Sequence, residues 1–171
     1  PERFDRVLML DPVSPWGLQL NDGQIDILKA MQRSEEIAFA GMASAAPTLF
    51  VENSLRADQS PRFAENTSLQ QREAFMRIVA NTMQLSNGIW FGVPHLLAEE
   101  WESGSLSAKV HRMTHEHLIL WGKLDAWIPR EHLVRMTQEL PKARLEEFPF
   151  VGHSMNLEQP MLLARVFERF F

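Results

Sequence analysis

Two ionisable residues, Asp125 and His153, each stand just past a β-like run, 28 positions apart. Asp125 lies in Trp121-Gly122-Lys123-Leu124-Asp125-Ala126-Trp127-Ile128-Pro129, and His153 lies in Phe150-Val151-Gly152-His153-Ser154. In a parallel sheet the carboxyl ends of all strands reach one edge, so an Asp and a His leaving two such strands can meet there. An imidazole can take a proton from a hydroxyl near neutral pH and return it to a leaving group. A carboxylate bonded to its Nδ1–H holds the ring in one tautomer and stabilises the imidazolium that forms. Such a pair is two thirds of a catalytic triad. No Gly-x-Ser-x-Gly occurs in the chain, so the nucleophile that the pair would serve is expected elsewhere. Gly152 fits a tight turn that aims His153, and Ser154 is placed to cap the final helix.

The elements that must position these residues follow from hydrophobic pattern. Val7-Leu8-Met9-Leu10 is apolar on both faces, as a parallel strand covered by helices on either side must be, and Asp11-Pro12 ends it. A strand beginning so early normally follows a helix, so Pro1-Glu2-Arg3-Phe4 reads as the end of an incoming connection and the chain is expected to open in mid-domain. From Val13 to Val110 the pattern turns helical. Asn21-Asp22-Gly23 starts a stretch carrying Ile25, Leu28, Met31 and Gln32 towards Ala43, and Pro47 ends it. Ser54 to Ala64 is polar, a loop by composition. Ser68-Leu69-Gln70-Gln71 fits a capping box, followed by Phe75, Met76, Val79 and Met83 on one predicted helical face. Ser86-Asn87-Gly88 breaks that run, a helix is predicted over 93–101 with Pro94 in its first turn, and Ser103-Gly104-Ser105 reads as a hinge back to the sheet. His117 to Trp121 then reads as a buried strand. A helix with Leu133, Met136, Thr137 and Leu140 on one side follows, then a weaker strand over 144–148. Leu162, Leu163, Val166, Phe167, Phe170 and Phe171 form one apolar helical stripe at the end. Strand, helical insertion, strand, helix, strand, helix specifies parallel pairing with right-handed crossovers.

These segments resemble the C-terminal half of the α/β-hydrolase fold. The resemblance rests on Gly122-x-x-Asp125-x-x-Ile128-Pro129 followed by Gly152-His153-Ser154, with Leu10-Asp11-Pro12 ahead of them, and it extends over nearly the whole chain. It implies an α/β architecture with a core strand at 1–12, a helical cap or lid at 13–105, and core strands and helices at 106–171. It also implies Asp125 as the acid and His153 as the base of the triad, since chain order in the family is nucleophile, acid, histidine. Some members place the acid after the preceding strand, which makes Asp11 the competitor; a turn role before Pro12 is the other reading of that residue. The implied activity is that of a serine esterase or acyl hydrolase on a small-molecule acyl substrate, without cofactor or metal. A proline-iminopeptidase-like amidase and a non-catalytic ligand-binding protein on the same fold are the alternatives. Family epoxide hydrolases use cap tyrosines, and the chain has no Tyr, which speaks against that chemistry.

Composition bounds the remaining options. With 171 residues, 45% hydrophobic and 23% charged, the chain is long enough to bury roughly 70% of its unfolded surface. A net charge of −5 without a basic stripe argues against nucleic acid. The absence of Cys rules out disulfides and thiolate ligands within the chain. No apolar run spans a bilayer and the start is not a signal peptide, so a cytoplasmic location is expected. His111, His115 and His117 invite a metal reading, but no carboxylate pair or His-Glu-x-x-His pattern accompanies them, and they read as solvated hinge residues. Trp16, Trp90, Phe91, Trp101 and Trp127 are either core or the wall of an apolar pocket, Trp127 being the substrate contact expected because it lies two residues from Asp125. Glu35, Glu36, Glu99 and Glu100 read as a solvated helix face, with binding of a cationic group as the alternative. Because Val7 to Leu10 would be an apolar sheet edge, a separate N-terminal chain completing the same domain is expected as partner.

Overall fold

A computed structural model describes residues 4–56 and 59–171. Pro1-Glu2-Arg3, the start of the expected incoming connection, lies outside the described residues, as do Ala57 and Asp58 of the polar loop.

Strands β1 (Arg6–Leu10), β2 (Glu116–Gly122) and β3 (Ala143–Phe148) form a parallel sheet in the order β1-β2-β3. Leu8 of β1 pairs with Leu118 of β2, which pairs with Arg144 of β3. The central strand is buried on both faces, and its alternation divides the core into two layers. Ile119 and Trp121 face Leu133 and Met136 of α5 (Arg130–Glu139), together with Leu140 just beyond it. Leu118 and Leu120 face Val166 and Phe170 of α7 (Pro160–Phe170). Each such side chain contributes about 1.5–3 kcal/mol by leaving water. The apolar run at 117–121 is thus explained by cover on both sides, and it includes His117, which is fully buried. That corrects its reading as a solvated residue: the register that pairs His117 with Val7 and Ala143 takes it inside, and burial pulls its pKa below the ordinary value. The described part of the chain has no helix long and apolar enough to cross a membrane.

Among the described residues four α-helices lie between β1 and β2: α1 (Asp22–Ala30), α2 (Glu35–Ala45), α3 (Leu69–Gln84) and α4 (Val93–Ser103). The single stretch expected from Ile25 towards Ala43 is two helices. Ser34 turns extended (φ −134°, ψ 118°) and its hydroxyl accepts from Ile37 N–H, starting α2 afresh with Glu35 and Glu36 favourably placed in its first turn. Apolar periodicity runs on across the break because both helices pack on one core, where Met31 is buried against the Gly41 position. The polar loop is better anchored than its composition indicates. Phe63 bridges Phe50 and stacks on it at 4.7 Å, and both rings meet Phe75 edge-on.

The capping box at Ser68 forms as predicted, with Phe75 and Val79 of α3 inside, but Met76 is exposed and Thr82 takes the third buried position. After Ser86-Asn87 a π-helical turn (Gly88–Gly92) runs directly into α4, and Gly104 ends α4 with a left-handed φ of 62°. At the far end, Val166 and Phe170 of α7 are buried, whereas Phe167 and Phe171 lie outside and pack on each other at 4.6 Å, so the expected stripe is narrower than its spacing implies. Ser154 precedes a separate short helix, α6 (Met155–Glu158), without a side-chain cap, and α7 begins at Pro160 instead.

Candidate active site

Because the strands are parallel, the residues that follow them open onto one edge: Asp11 after β1, Asp125 after β2 and His153 in the loop after β3. Asp125 N–H donates to Gly122 O at 3.0 Å, closing a turn at the end of β2. Its Oδ1 accepts from the N–H groups of Trp127 (2.7 Å) and Ile128 (3.1 Å), which fixes the carboxylate against its own backbone. Oδ2 is thereby aimed at His153 Nδ1, 2.9 Å away. One side chain thus both closes its own turn and pairs with His153, through different oxygens. The Asp125 side chain is fully buried, while 27% of the His153 side chain remains exposed. With Nδ1–H donating to Asp125, the Nε2 lone pair of His153 is left to act as a base. Burial pulls the His153 pKa down, but the hydrogen bond and charge of Asp125, joined by the charges of Asp11 and Glu158, outweigh it and hold the ring above its ordinary value.

Main-chain contact sets the approach of the two loops. A Cβ on Gly122 would lie 2.3 Å from both Val151 O and Gly152 O, so only glycine lets the end of β2 touch the histidine loop. Gly152 stands in the turn before His153 without a positive φ; what requires glycine there is space, because a Cβ would lie 2.3 Å from Pro47 Cδ. Trp127 stacks on the imidazole with ring centroids 5.2 Å apart and planes 20° apart, and its indole N–H donates to Ser44 Oγ at 3.0 Å. It thus covers one face of His153.

Asp11 belongs to the same cluster. One donor atom each from Asp11, Asp125 and His153 lie within 4.8 Å of one another. Its φ of 41° is the left-handed value that an Asp tolerates better than most residues. Its N–H donates to Leu120 O (3.0 Å) and its Oδ1 accepts from Gly122 N–H (3.1 Å), so it holds the end of β2 in place. Oδ2 is buried and has no hydrogen-bond partner among the described residues. Burial, helped by the Asp125 charge and opposed by the Gly122 hydrogen bond, pushes the Asp11 pKa from 3.8 up to about 7. A raised carboxyl pKa contributes stability at low pH that is lost as pH rises through the folded value. Asp11→Asn keeps an acceptor for Gly122 and cannot ionise. Its Tm relative to wild type is expected to become more positive between about pH 5 and about pH 8.5 in calorimetric scans; a difference independent of pH would count against ionisation of Asp11 in that window.

The structure also brings in a residue that the sequence reading passed over. Glu158 in α6 is 4% exposed and bonds to the loop that bears His153. Its only signal was a carboxylate five residues past His153, next to Leu157 and three residues after Met155. Other candidates lie away from the pair. Trp16 and Trp90 are buried in the core, and Trp101 stacks on His132. Glu100 folds back to accept from Ser105 Oγ and Leu106 N, stabilising the end of α4. Glu35 and Glu36 line a groove of about 550 Å³ with Phe39, Ser44 and Arg56, and Ser44 is the residue that holds Trp127.

No protein-family model and no curated sequence matches the chain. Its fold matches many solved structures. An esterase from Exiguobacterium antarcticum superposes with a TM-score of 0.68 at 15% identity, over 96% of this chain and 56% of that one. A serine hydrolase from the polyaromatic-hydrocarbon-degrading bacterium Cycloclasticus zankles gives 0.66 at 16% identity, over 100% of this chain and 56% of that one. The 2-hydroxy-6-oxo-6-phenylhexa-2,4-dienoate hydrolase of a Rhodococcus species gives 0.60 at 18% identity, again over 100% and 56%. The chain thus spans a little over half the length of these structures. A parallel sheet with flanking helices, with an Asp and a His joined at its carboxyl edge, and this agreement of fold lead to one conclusion: the chain forms part of an α/β-hydrolase fold.

Proposed function

We propose that the chain supplies the acid, Asp125, and the base, His153, of a serine-type hydrolase acting on carboxylic esters. The reading rests on one observation, the 2.9 Å bond from His153 Nδ1 to an Asp125 oxygen whose companion oxygen is pinned by two backbone N–H groups. Residues 13–105 act as the cap over that edge, and Trp127 walls the site. The serine and the oxyanion-hole amides come from the remainder of the fold, outside these residues.

In the reaction, His153 Nε2 takes the proton of the serine hydroxyl as its oxygen attacks the ester carbonyl. Backbone N–H groups hold the tetrahedral oxyanion. Collapse breaks the bond to the alkoxide, which leaves with the His153 proton as an alcohol. His153 then deprotonates water, which attacks the acyl-serine; the acid is released and the serine recovers its proton. Asp125 keeps the ring oriented throughout. Amide hydrolysis in the manner of a proline iminopeptidase is the second reading, favoured by Glu35 and Glu36 in the groove at Ser44, where a cationic amino group would find opposite charge.

The test uses the native protein with whatever completes its fold. A fluorophosphonate probe should label a serine, and labelling should vanish in His153→Ala. Absence of labelling in folded native protein would favour a ligand-binding role. Rates on p-nitrophenyl esters above those on aminoacyl p-nitroanilides are expected; the reverse order would select the amidase. Intact-mass analysis shows whether one polypeptide or two carry the complete fold, and the chemistry is as written in either case.

A further inference from the structure

The loop bearing His153 is held from two sides. On the sheet side, Leu124 N–H donates to Val151 O at 2.9 Å. On the side of the helical insertion, Ser154 N–H donates to Ala45 O at 2.9 Å. Between them sits Glu158. Its Oε2 accepts from Gly152 N–H at 2.8 Å, and its Oε1 accepts from Thr48 N–H at 3.0 Å and Thr48 Oγ1–H at 2.7 Å. Gln71 of α3 adds to the same junction by donating to Leu157 O and Glu158 O.

A buried carboxylate is costly unless it is hydrogen-bonded, and here three donors, one from nearby Gly152 and two from distant Thr48, engage both oxygens. The arrangement asks for a carboxylate specifically. An amide at this position would turn an NH₂ towards either the Gly152 N–H or the Thr48 donors, setting donor against donor. Capping a four-residue helix does not require this, since backbone bonds from Leu157 and Glu158 to Ser154 O already close it. What the carboxylate adds is a two-atom link from the segment after α2 to the residue preceding His153.

We propose that Glu158 is a positioning residue that couples the Ala45–Thr48 segment to His153, so that the placement of the insertion sets the aim of the imidazole. The inference rests on His153 being the base. Trp127 makes a parallel link, since it bonds to Ser44 and stacks on the ring. Substrate that shifts the insertion would therefore act on the base as well as on access to it.

The experiment measures kcat and KM of the native protein on a p-nitrophenyl ester for Glu158→Gln, Thr48→Val and the double variant, with His153→Ala alongside. Misplacement of a catalytic group by about 1 Å costs up to about a hundredfold, so Glu158→Gln should lower kcat by roughly tenfold to a hundredfold with KM nearly unchanged. Thr48→Val should lower kcat less, and the double variant should be no slower than Glu158→Gln alone, because both break one link. Unchanged kcat in folded Glu158→Gln, or additive losses in the double variant, would overturn the coupling while an inactive His153→Ala kept the base assignment intact. An active His153→Ala would instead overturn the base assignment. Should Glu158→Gln fail to fold, unchanged kcat in Thr48→Val overturns the proposal and a selective fall in kcat supports it.

Discussion

His153→Ala is expected to lower kcat for ester hydrolysis by the native protein on the order of 10⁶-fold, with little change in KM. Within this cluster His153 Nε2 is the partly exposed group left to accept the nucleophile's proton: the Asp125 side chain is fully buried with both oxygens engaged, and the unpartnered Oδ2 of Asp11 is itself buried. Alanine removes the base and also the partner of the buried Asp125 Oδ2, while Oδ1 retains its bonds to Trp127 and Ile128, so a lower Tm is expected beside the lost activity. Circular dichroism together with initial rates separates loss of chemistry from loss of structure. Near-wild-type kcat in the folded variant would remove His153 from the mechanism.

Asp125→Asn should cost about 10⁴-fold in kcat, for a reason specific to this turn. Oδ1 must remain the acceptor of the Trp127 and Ile128 N–H groups, so the new NH₂ must face His153 Nδ1. It would donate to that nitrogen, drive the ring proton onto Nε2 and leave no lone pair for the serine proton. Loss of the carboxylate also removes the hydrogen bond and charge that lift the His153 pKa, so the acid limb of the kcat/KM profile should move to lower pH as the maximum falls. The pH–rate profile checks both. Substantial activity in Asp125→Asn, abolished by adding Asp11→Asn, would transfer the acid role to the residue after β1.

The parallel sheet and the Asp–His meeting were legible because both rest on local signals. Buried strands are apolar on both faces, and glycine, Asp and His at strand ends occupy the one edge that parallel topology makes common. The break between α1 and α2 was not legible, because a serine that restarts a helix leaves the apolar period uninterrupted on either side. His117 was misread because its register within β2, and not its residue type, decides its burial. Asp11 was read as a turn residue with the acid role in reserve. Its left-handed backbone and its closeness to Asp125 depend on how β1 lies beside β2, which no neighbouring residue in sequence announces. Glu158 escaped notice for a similar reason. A glutamate in a short helix is ordinarily solvated, and its burial here depends on Thr48, 110 positions away, as well as on Gly152.

The stacking of Trp127 on His153 has an optical corollary. An indole face attracts a cation, so the stack favours the charged form of the ring and adds to the pull of the surrounding carboxylates. A charged imidazolium in face contact also quenches indole emission more strongly than the neutral ring does. Trp127 is therefore an intrinsic gauge whose brightness follows the proton on His153, readable in solution as the difference from Trp127→Phe, since Trp101 stacks on His132 in the same manner.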